Sequence, residues 1–231
     1  MKRLILLTVT VFLALAVAGC GSPQPLPVAP TPIPSLVPAT LPPPTTPTPL
    51  AAAANITFPT TPPDAKAGAP SYLAKCTSCH GADGQGKVDK ARNFTDVDYM
   101  RGAIPAEFYE TITNGREQMP SFGKDLADND RWDATYYLWH FSVTPEQLAK
   151  GKTVFDTNCV ACHGPDGKGV LPQAPNFTNP EFIASRPATE LYQAVSGGKG
   201  IMPAWQDRLS SGDRWAAVEY VRSFGYQPAT K

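Results

Sequence analysis

The chain of 231 residues lacks net charge, because 20 Lys and Arg are balanced by 20 Asp and Glu. An excess of cations is what neutralises a phosphate backbone, so this composition gives no case for nucleic-acid binding. The main apolar run, Leu4 to Val17, is shorter than the ~20 residues that a membrane-spanning helix needs. Charge is missing altogether from Gly21 to Pro63, a stretch of 43 residues that holds 15 of the 26 prolines. Such a segment cannot bury a core and favours extended polyproline conformation. Cysteine and histidine are scarce, at five and three residues, so each one can be accounted for individually.

Four of the five cysteines and two of the three histidines lie in two copies of one pattern, Cys76-Thr77-Ser78-Cys79-His80 and Cys159-Val160-Ala161-Cys162-His163. C-x-x-C-H is the attachment pattern of c-type haem. The two thiols add to the haem vinyl groups, and the adjacent histidine binds iron from one face. Redox or zinc cysteines are the alternative, and they leave the neighbouring histidines unexplained. The copies are 83 residues apart, and the offset extends without a gap. Gly84 and Gly86 map to Gly167 and Gly169, and Asn93-Phe94-Thr95 to Asn176-Phe177-Thr178. Tyr109 maps to Tyr192, Asp130-Arg131-Trp132 to Asp213-Arg214-Trp215, and Phe141 to Phe224. The chain is therefore a tandem duplication of one small unit.

Met119-Pro120 maps to Met202-Pro203, and each methionine follows the second cysteine of its motif by 40 residues. A thioether is a soft ligand suited to the sixth position of haem iron. Met100 has Ile183 as its counterpart and is left out of the site. The expected ligand sets are Cys76, Cys79, His80 and Met119 for one haem c, and Cys159, Cys162, His163 and Met202 for the other. Core filling is the alternative role for the two methionines.

The first residues read as an export signal, with Lys2 and Arg3 ahead of the apolar run. The ending Val17-Ala18-Gly19-Cys20 is similar to the bacterial lipobox, whose cysteine is lipidated and becomes the mature N-terminus. A secretory peptide cut elsewhere, or an uncut helix, are the alternatives. With four cysteines on haem and Cys20 on lipid, no thiol remains for a disulfide or for catalysis. The expected organisation is a signal over 1–19, a lipid-anchored linker over 20–63, and two domains over 64–146 and 147–231. Lipid on Cys20 would hold the domains on the extracytoplasmic face of a bacterial membrane, periplasmic or outer. Fully extended, the linker would reach roughly 130 Å.

The folded part reads as mainly helical. Thr144-Pro145-Glu146-Gln147 is a helix start, with Thr as cap and Pro at the first position, and its helix runs into Cys159. Asp64 is placed to cap the matching helix before Cys76. Short middle helices are expected at Pro105–Asn114 and Ala188–Ser196, and closing helices at Asp130–Phe141 and Asp213–Phe224. Trp132, Tyr136 and Trp139 recur at helical spacing, as do Trp215, Val218 and Val221, and are read as the haem-side wall of each core and the contact between its first and last helices.

Each unit, with its N-terminal helix, C-x-x-C-H, glycine turn, Met-Pro loop and closing aromatic helix, resembles a class I cytochrome c domain. The pair resembles dihaem cytochromes c, including dihaem subunits of some terminal oxidases. The resemblance implies a histidine that donates its second ring nitrogen to a backbone carbonyl about twelve residues on. Pro175 fits that place after His163, whereas Arg92 departs from the pattern after His80. His140, whose equivalent is Ser223, is either a packed helix residue or a switchable group. Arg101, Arg116, Arg186 and Lys199 are either propionate partners or surface charges.

With His and Met on both irons no face is open to substrate, so one-electron transfer is expected rather than catalysis. The leading expectation is a tethered dihaem carrier between membrane redox complexes or small redox proteins. The alternatives are a fixed haem subunit of a quinol-oxidising or terminal oxidase complex, and a redox enzyme or sensor with a displaceable methionine. Residues 64–146 carry 9 Lys and Arg against 13 Asp and Glu, and residues 147–231 carry 9 against 7. Opposite signs suit either different partners or mutual docking of the two units.

Overall fold

The computed structural model describes residues 56–229. The expected signal, Cys20 and the linker as far as residue 55 lie outside the described residues. Among the described residues the regular elements are helical, with bridges but no extended strand. The first repeat holds α1 (Ala65–Lys75), α2 (Thr77–His80), α3 (Val97–Gly102), α4 (Pro105–Asn114) and α5 (Asp128–Tyr137), the last continued by a 3-10 turn over Leu138–Phe141. The second holds α6 (Pro145–Asn158), α7 (Val160–His163), α8 (Pro180–Ala184), α9 (Ala188–Gly197) and α10 (Ser211–Arg222).

Both expected caps form. The Asp64 carboxylate accepts from the amides of Lys66 and Ala67. Thr144 and Gln147 form a reciprocal capping box that satisfies two helix-terminal amides. The short helices α3 and α8 were not legible as helices. At 6 and 5 residues they are too short to show a period, and they are started by the side chains of Asp96 and Asn179. The Asn-Phe-Thr triplets are turns, in which Asn93 and Asn176 accept from the amides and hydroxyls of Thr95 and Thr178.

Within each repeat the first helix crosses the last, and the crossing sits on a glycine. A Cβ on Gly68 would lie 2.1 Å from the Asp133 carbonyl oxygen, and one on Gly151 would lie 2.0 Å from that of Ala216. These glycines are related by the same 83-residue offset. Their missing side chains let two helix backbones touch. One turn further on, Tyr72 and Phe155 are fully buried against Phe141 and Phe224. At the other end of the closing helices, Tyr109 stacks on Trp132 at 4.1 Å and Tyr192 on Trp215 at 4.0 Å.

The aromatic stripe of α5 faces away from where it is expected. Ala134 and Leu138 line the cleft beside His80. Trp132 and Tyr136 lie about half a helical turn away from Ala134, on the other side of the helix. Tyr136 stacks on Tyr226 at 4.6 Å, and the Arg222 guanidinium lies 4.7 Å over the Trp139 ring. On the second repeat Arg101 lies 4.1 Å over Trp215. The two repeats therefore share a core: Ile183, Ala184 and Tyr226 join the apolar cluster of the first repeat.

This junction buries a charge pair. Arg222 is 0% exposed, 3.6 Å from Glu219, and its guanidinium nitrogens have no hydrogen-bond partner. Burial outweighs the attraction of Arg222 and Arg101 and holds the Glu219 carboxyl above the usual carboxylate range. The end of the expected linker also belongs to this folded body. Phe58 stacks on Trp132, the Trp132 indole donates to the Thr57 carbonyl, and Ile56 packs on the core. Proline content masked these two apolar residues, whose burial offsets the cost of ordering the segment.

Gly151→Ala is expected to force α6 and α10 apart and cost about 2–3 kcal/mol. A thermal melt of the haem-loaded protein followed by circular dichroism checks this, and an unchanged midpoint would show that the crossing tolerates a methyl group.

Candidate functional site

α1 delivers Cys76 directly after its last residue, and the chain restarts at once as α2, which carries Cys79 and His80. Gly81 ends that turn at φ +80°, a conformation open to glycine. α6, α7 and Gly164 repeat this arrangement, with Gly164 at φ +75°. The outer cysteines of both motifs are exposed and the inner ones half-buried. Burial, and secondarily the thiol of Cys79, pushes the Cys76 thiol up to about 11, and the same effects with Cys162 push Cys159 up to about 11.

In the first repeat, Cys76, His80 and Met119 come together in one cleft of about 370 Å³, counting its mouth. The other lining residues are Tyr72, Phe94, Ile112, Phe122, Leu126, Ala134 and Leu138. Shifted by 83 residues, they become Phe155, Phe177, Val195, Trp205, Leu209, Ala217 and Val221. The apolar lining is thus kept in the second repeat, where Phe155, Phe177 and Val221 form a buried cluster packed against Cys159. An apolar cleft lined by the imidazole of His80, the thioether of Met119 and the thiol of Cys76, with Cys79 exposed beside it in the same motif, fits a covalently held haem, which is a large apolar ring with iron at its centre.

The histidines are held alike by ring contacts and differently by hydrogen bonds. Phe94 stacks on His80 at 4.8 Å, and Phe177 on His163 at 4.9 Å. Nδ1 of His80 lies 3.4 Å from the Arg92 carbonyl oxygen. A carbonyl only accepts, so the ring proton sits on Nδ1 and Nε2 keeps its lone pair available to a metal. The departure at Arg92 therefore keeps the expected bond. In the second repeat, where Pro175 was expected to supply it, Nδ1 of His163 is buried without a hydrogen-bond partner. The loop bonds match in both copies, Ala91 to Val88 and Ala174 to Leu171, so backbone pattern does not explain the difference. Burial holds both imidazoles below the ordinary histidine value, opposed in His80 by its bond to Arg92. Neutral imidazole is the form that ligates metal.

Each methionine sits in a tight two-way bridge, Arg116 with Met119 and Lys199 with Met202. Gly115 and Gly198 close these turns at φ +74° and +78°. A Cβ on either would lie 2.6 Å from the carbonyl oxygen of its methionine. This pair was missed in the sequence, although the common offset marks it. Gly84 and Gly167, matched in the sequence as turn glycines, also lie where a Cβ would meet the rings of Phe141 and Phe224.

The remaining candidates are placed elsewhere. His140 stacks on Tyr137 at 5.1 Å and does not line the His80 cleft. Arg101 pairs with Asp98, and Arg186 pairs with Glu190 and lies over Phe182. Met100 is buried in the core, as is its counterpart Ile183.

The family model described as "Cytochrome C oxidase, cbb3-type, subunit III" matches this chain twice, over residues 63–138 and 146–221. "Cbb3-type cytochrome c oxidase subunit CcoP" of Azospirillum sp. (strain B510) is 32% identical over 186 residues, covering 70% of this chain and 62% of that protein. "Cbb3-type cytochrome c oxidase subunit FixP" of Bradyrhizobium diazoefficiens is 34% identical over 167 residues, covering 65% of this chain and 57% of that protein. The chain spans about three fifths of the length of these relatives.

Gly198→Ala is expected to displace the Met202 turn and leave the Met119 turn intact, with Gly115→Ala doing the reverse. Loss of His/Met ligation lowers a haem potential, so a redox titration should show one of two haems shifted downward in each variant. Two unshifted haems would show that the glycines do not hold the methionines.

Proposed function

Because the chain belongs to the family of cbb3-type cytochrome c oxidase subunit III, we propose that it is a fixed, haem-bearing electron-transfer subunit of a membrane terminal oxidase. It is a dihaem c-type cytochrome, with one covalently bound haem c per repeat. The observation that carries the proposal is the double match, one on each C-x-x-C-H repeat, together with relatives named as oxidase subunits. On sequence alone a tethered carrier came first. Family membership favours the alternative, and the fixed subunit takes its place.

In this reading Cys76 and Cys79 would hold the first haem, and His80 and Met119 would bind its iron. Cys159 and Cys162 hold the second, with His163 and Met202. Bound iron supplies one-electron chemistry, ferric to ferrous and back. The chain's own residues do the rest. The Arg92 carbonyl fixes the tautomer of His80, and Phe94 and Phe177 fix the ring planes. The Gly115 and Gly198 turns present the thioethers. The apolar linings exclude water, which keeps solvent reorganisation small when an electron arrives. Domains over 64–146 and 147–231 belong to the same proposal, with their cores joined at the junction described above.

The proposal also keeps the anchor on Cys20, after removal of residues 1–19, with the haem domains on the extracytoplasmic face. No helix among the described residues is long and apolar enough to cross a membrane.

Carbon monoxide added to the reduced, detergent-solubilised protein is expected to leave both haem spectra unshifted, since a histidine and a methionine would occupy the ligand positions of each iron. Met202→Ala should open one haem of the two. Gas binding to the unaltered protein would instead point to an enzyme or sensor. After mild detergent extraction the protein should elute with large integral subunits, and elution by itself would restore the carrier.

A further inference from the structure

The two repeats differ most usefully at the rims of their haem clefts. Residues 87–92 read Lys-Val-Asp-Lys-Ala-Arg, and their equivalents 170–175 read Val-Leu-Pro-Gln-Ala-Pro. Four charged side chains in the first copy thus become none in the second. Around the methionines, Arg116, Glu117 and Gln118 become Lys199, Gly200 and Ile201. The backbone is the same in both: the amides of Lys87 and Val170 donate to the carbonyls of Cys79 and Cys162, and the methionine bridges match. The first repeat serves as an internal control, because it adopts this fold with polar residues at these places. The apolar residues of the second copy are therefore not required by the fold.

They are also not used for packing. Val170 is 64% exposed and Ile201 67%, the highest values among the large exposed apolar residues. Val170 is next to Cys162 through its backbone bond, and Ile201 precedes Met202, so both flank residues proposed to hold the second haem. Charge here is sparse: Lys168 is paired with Asp166 at 3.2 Å, and Lys199 in the methionine turn is the cation beside Ile201. Exposed apolar residues with so little charge among them, flanking a proposed redox centre, are costly to keep in water and suit a contact surface.

Resting on the reading of this chain as an electron-transfer protein, the geometry points to the second repeat as its electron-exchange face. Its occupant is a small redox protein whose own redox centre is ringed by an apolar, uncharged patch. Charge matching decides the class of partner. A strongly charged partner would gain no opposing charge here and would bury its own charges against Val170, Leu171 and Ile201. In the exchange one electron leaves the reduced partner, which is oxidised, and one arrives at the second repeat, which is reduced. No bond is formed or broken.

The test uses the haem-loaded full chain and, as probe, a reduced blue-copper protein with an apolar, uncharged copper edge, in stopped-flow mixing. The unaltered protein is expected to be reduced at a second-order rate that hardly changes between low and high salt, because no charges steer the encounter. Val170→Lys with Ile201→Gln installs the first repeat's own residues, which this fold accepts, and should slow reduction about tenfold or more. Lys87→Ala with Gln118→Ala, on the first repeat, should leave the rate as it was. A steep salt dependence, a second-repeat variant as fast as the unaltered protein, or equal slowing by the first-repeat variant would each overturn the proposal. So would sedimentation as a dimer that the second-repeat variant converts to monomer, since the patch would then be covered by another copy of the chain. Reduction of the unaltered protein by hexaammineruthenium(II) tests the underlying reading separately. Haems that this small reductant leaves ferric would overturn electron transfer itself, and the docking face with it.

Discussion

Backbone-to-backbone contact between the first and last helix of each repeat is the constraint on which the rest of the structure depends. At Gly68 and Gly151 there is no room for a side chain, so each crossing is fixed at one place along both helices. From there the consequences run outward in order. The crossing sets Tyr72 and Phe155 against Phe141 and Phe224. Those rings fill the space that a Cβ on Gly84 or Gly167 would need. The glycine turn then leaves Phe94 and Phe177 flat against the two histidines. Tyr72 adds a hydrogen bond from its hydroxyl to the Gly81 carbonyl, at the turn that ends the haem-binding motif. In this way a short covalent motif is aimed by residues that never touch iron.

The duplication kept this internal machinery and changed the outer faces. Tyr136 and Trp139 have Glu219 and Arg222 as equivalents, and the two sets meet at the junction between the repeats. An aromatic face on one copy thus receives a charged face on the other, with Arg222 lying on Trp139. A guanidinium tolerates such a site better than an ammonium would, because it is planar and weakly hydrated. The pairing still has a cost in unsatisfied hydrogen bonds, so it is better understood as fixing the partner face than as adding stability. Two copies with identical aromatic faces would have no such means of telling self from neighbour.

The residues proposed to hold haem stand out in the sequence because chemistry restricts them to few residue types and the duplication shows each one twice. Helix starts were legible wherever a cap and a proline coincide, as at Thr144 and Pro145. The facing of the α5 stripe was not. Periodicity tells that Trp132, Tyr136 and Trp139 share a side, but not whether haem or a neighbouring domain covers it. Small residues that decide the answer, Ala134 and Leu138 beside the cleft, carry a weak hydrophobic signal next to two tryptophans. Gly68, Gly115 and their partners were visible only as an offset. Their meaning lies in the atoms that approach them, and sequence does not carry those. Arg92 shows the opposite limit: a residue that departs from the expected pattern keeps the hydrogen bond, since the bond is made by its carbonyl and any residue can supply one.

The contrast between carrier and fixed subunit rests on different observations from the contrast between electron transfer and catalysis. The proposed ligation by one histidine and one methionine per repeat bears on what each haem can do, and it would be the same in a shuttle and in a subunit. What separates those two lies outside the clefts. The last residues before Asp64 are packed onto Trp132 rather than left as leash, and the repeats share one core instead of hanging as two heads. A body that presents its haems in one fixed relation suits delivery along a set path better than sampling of partners.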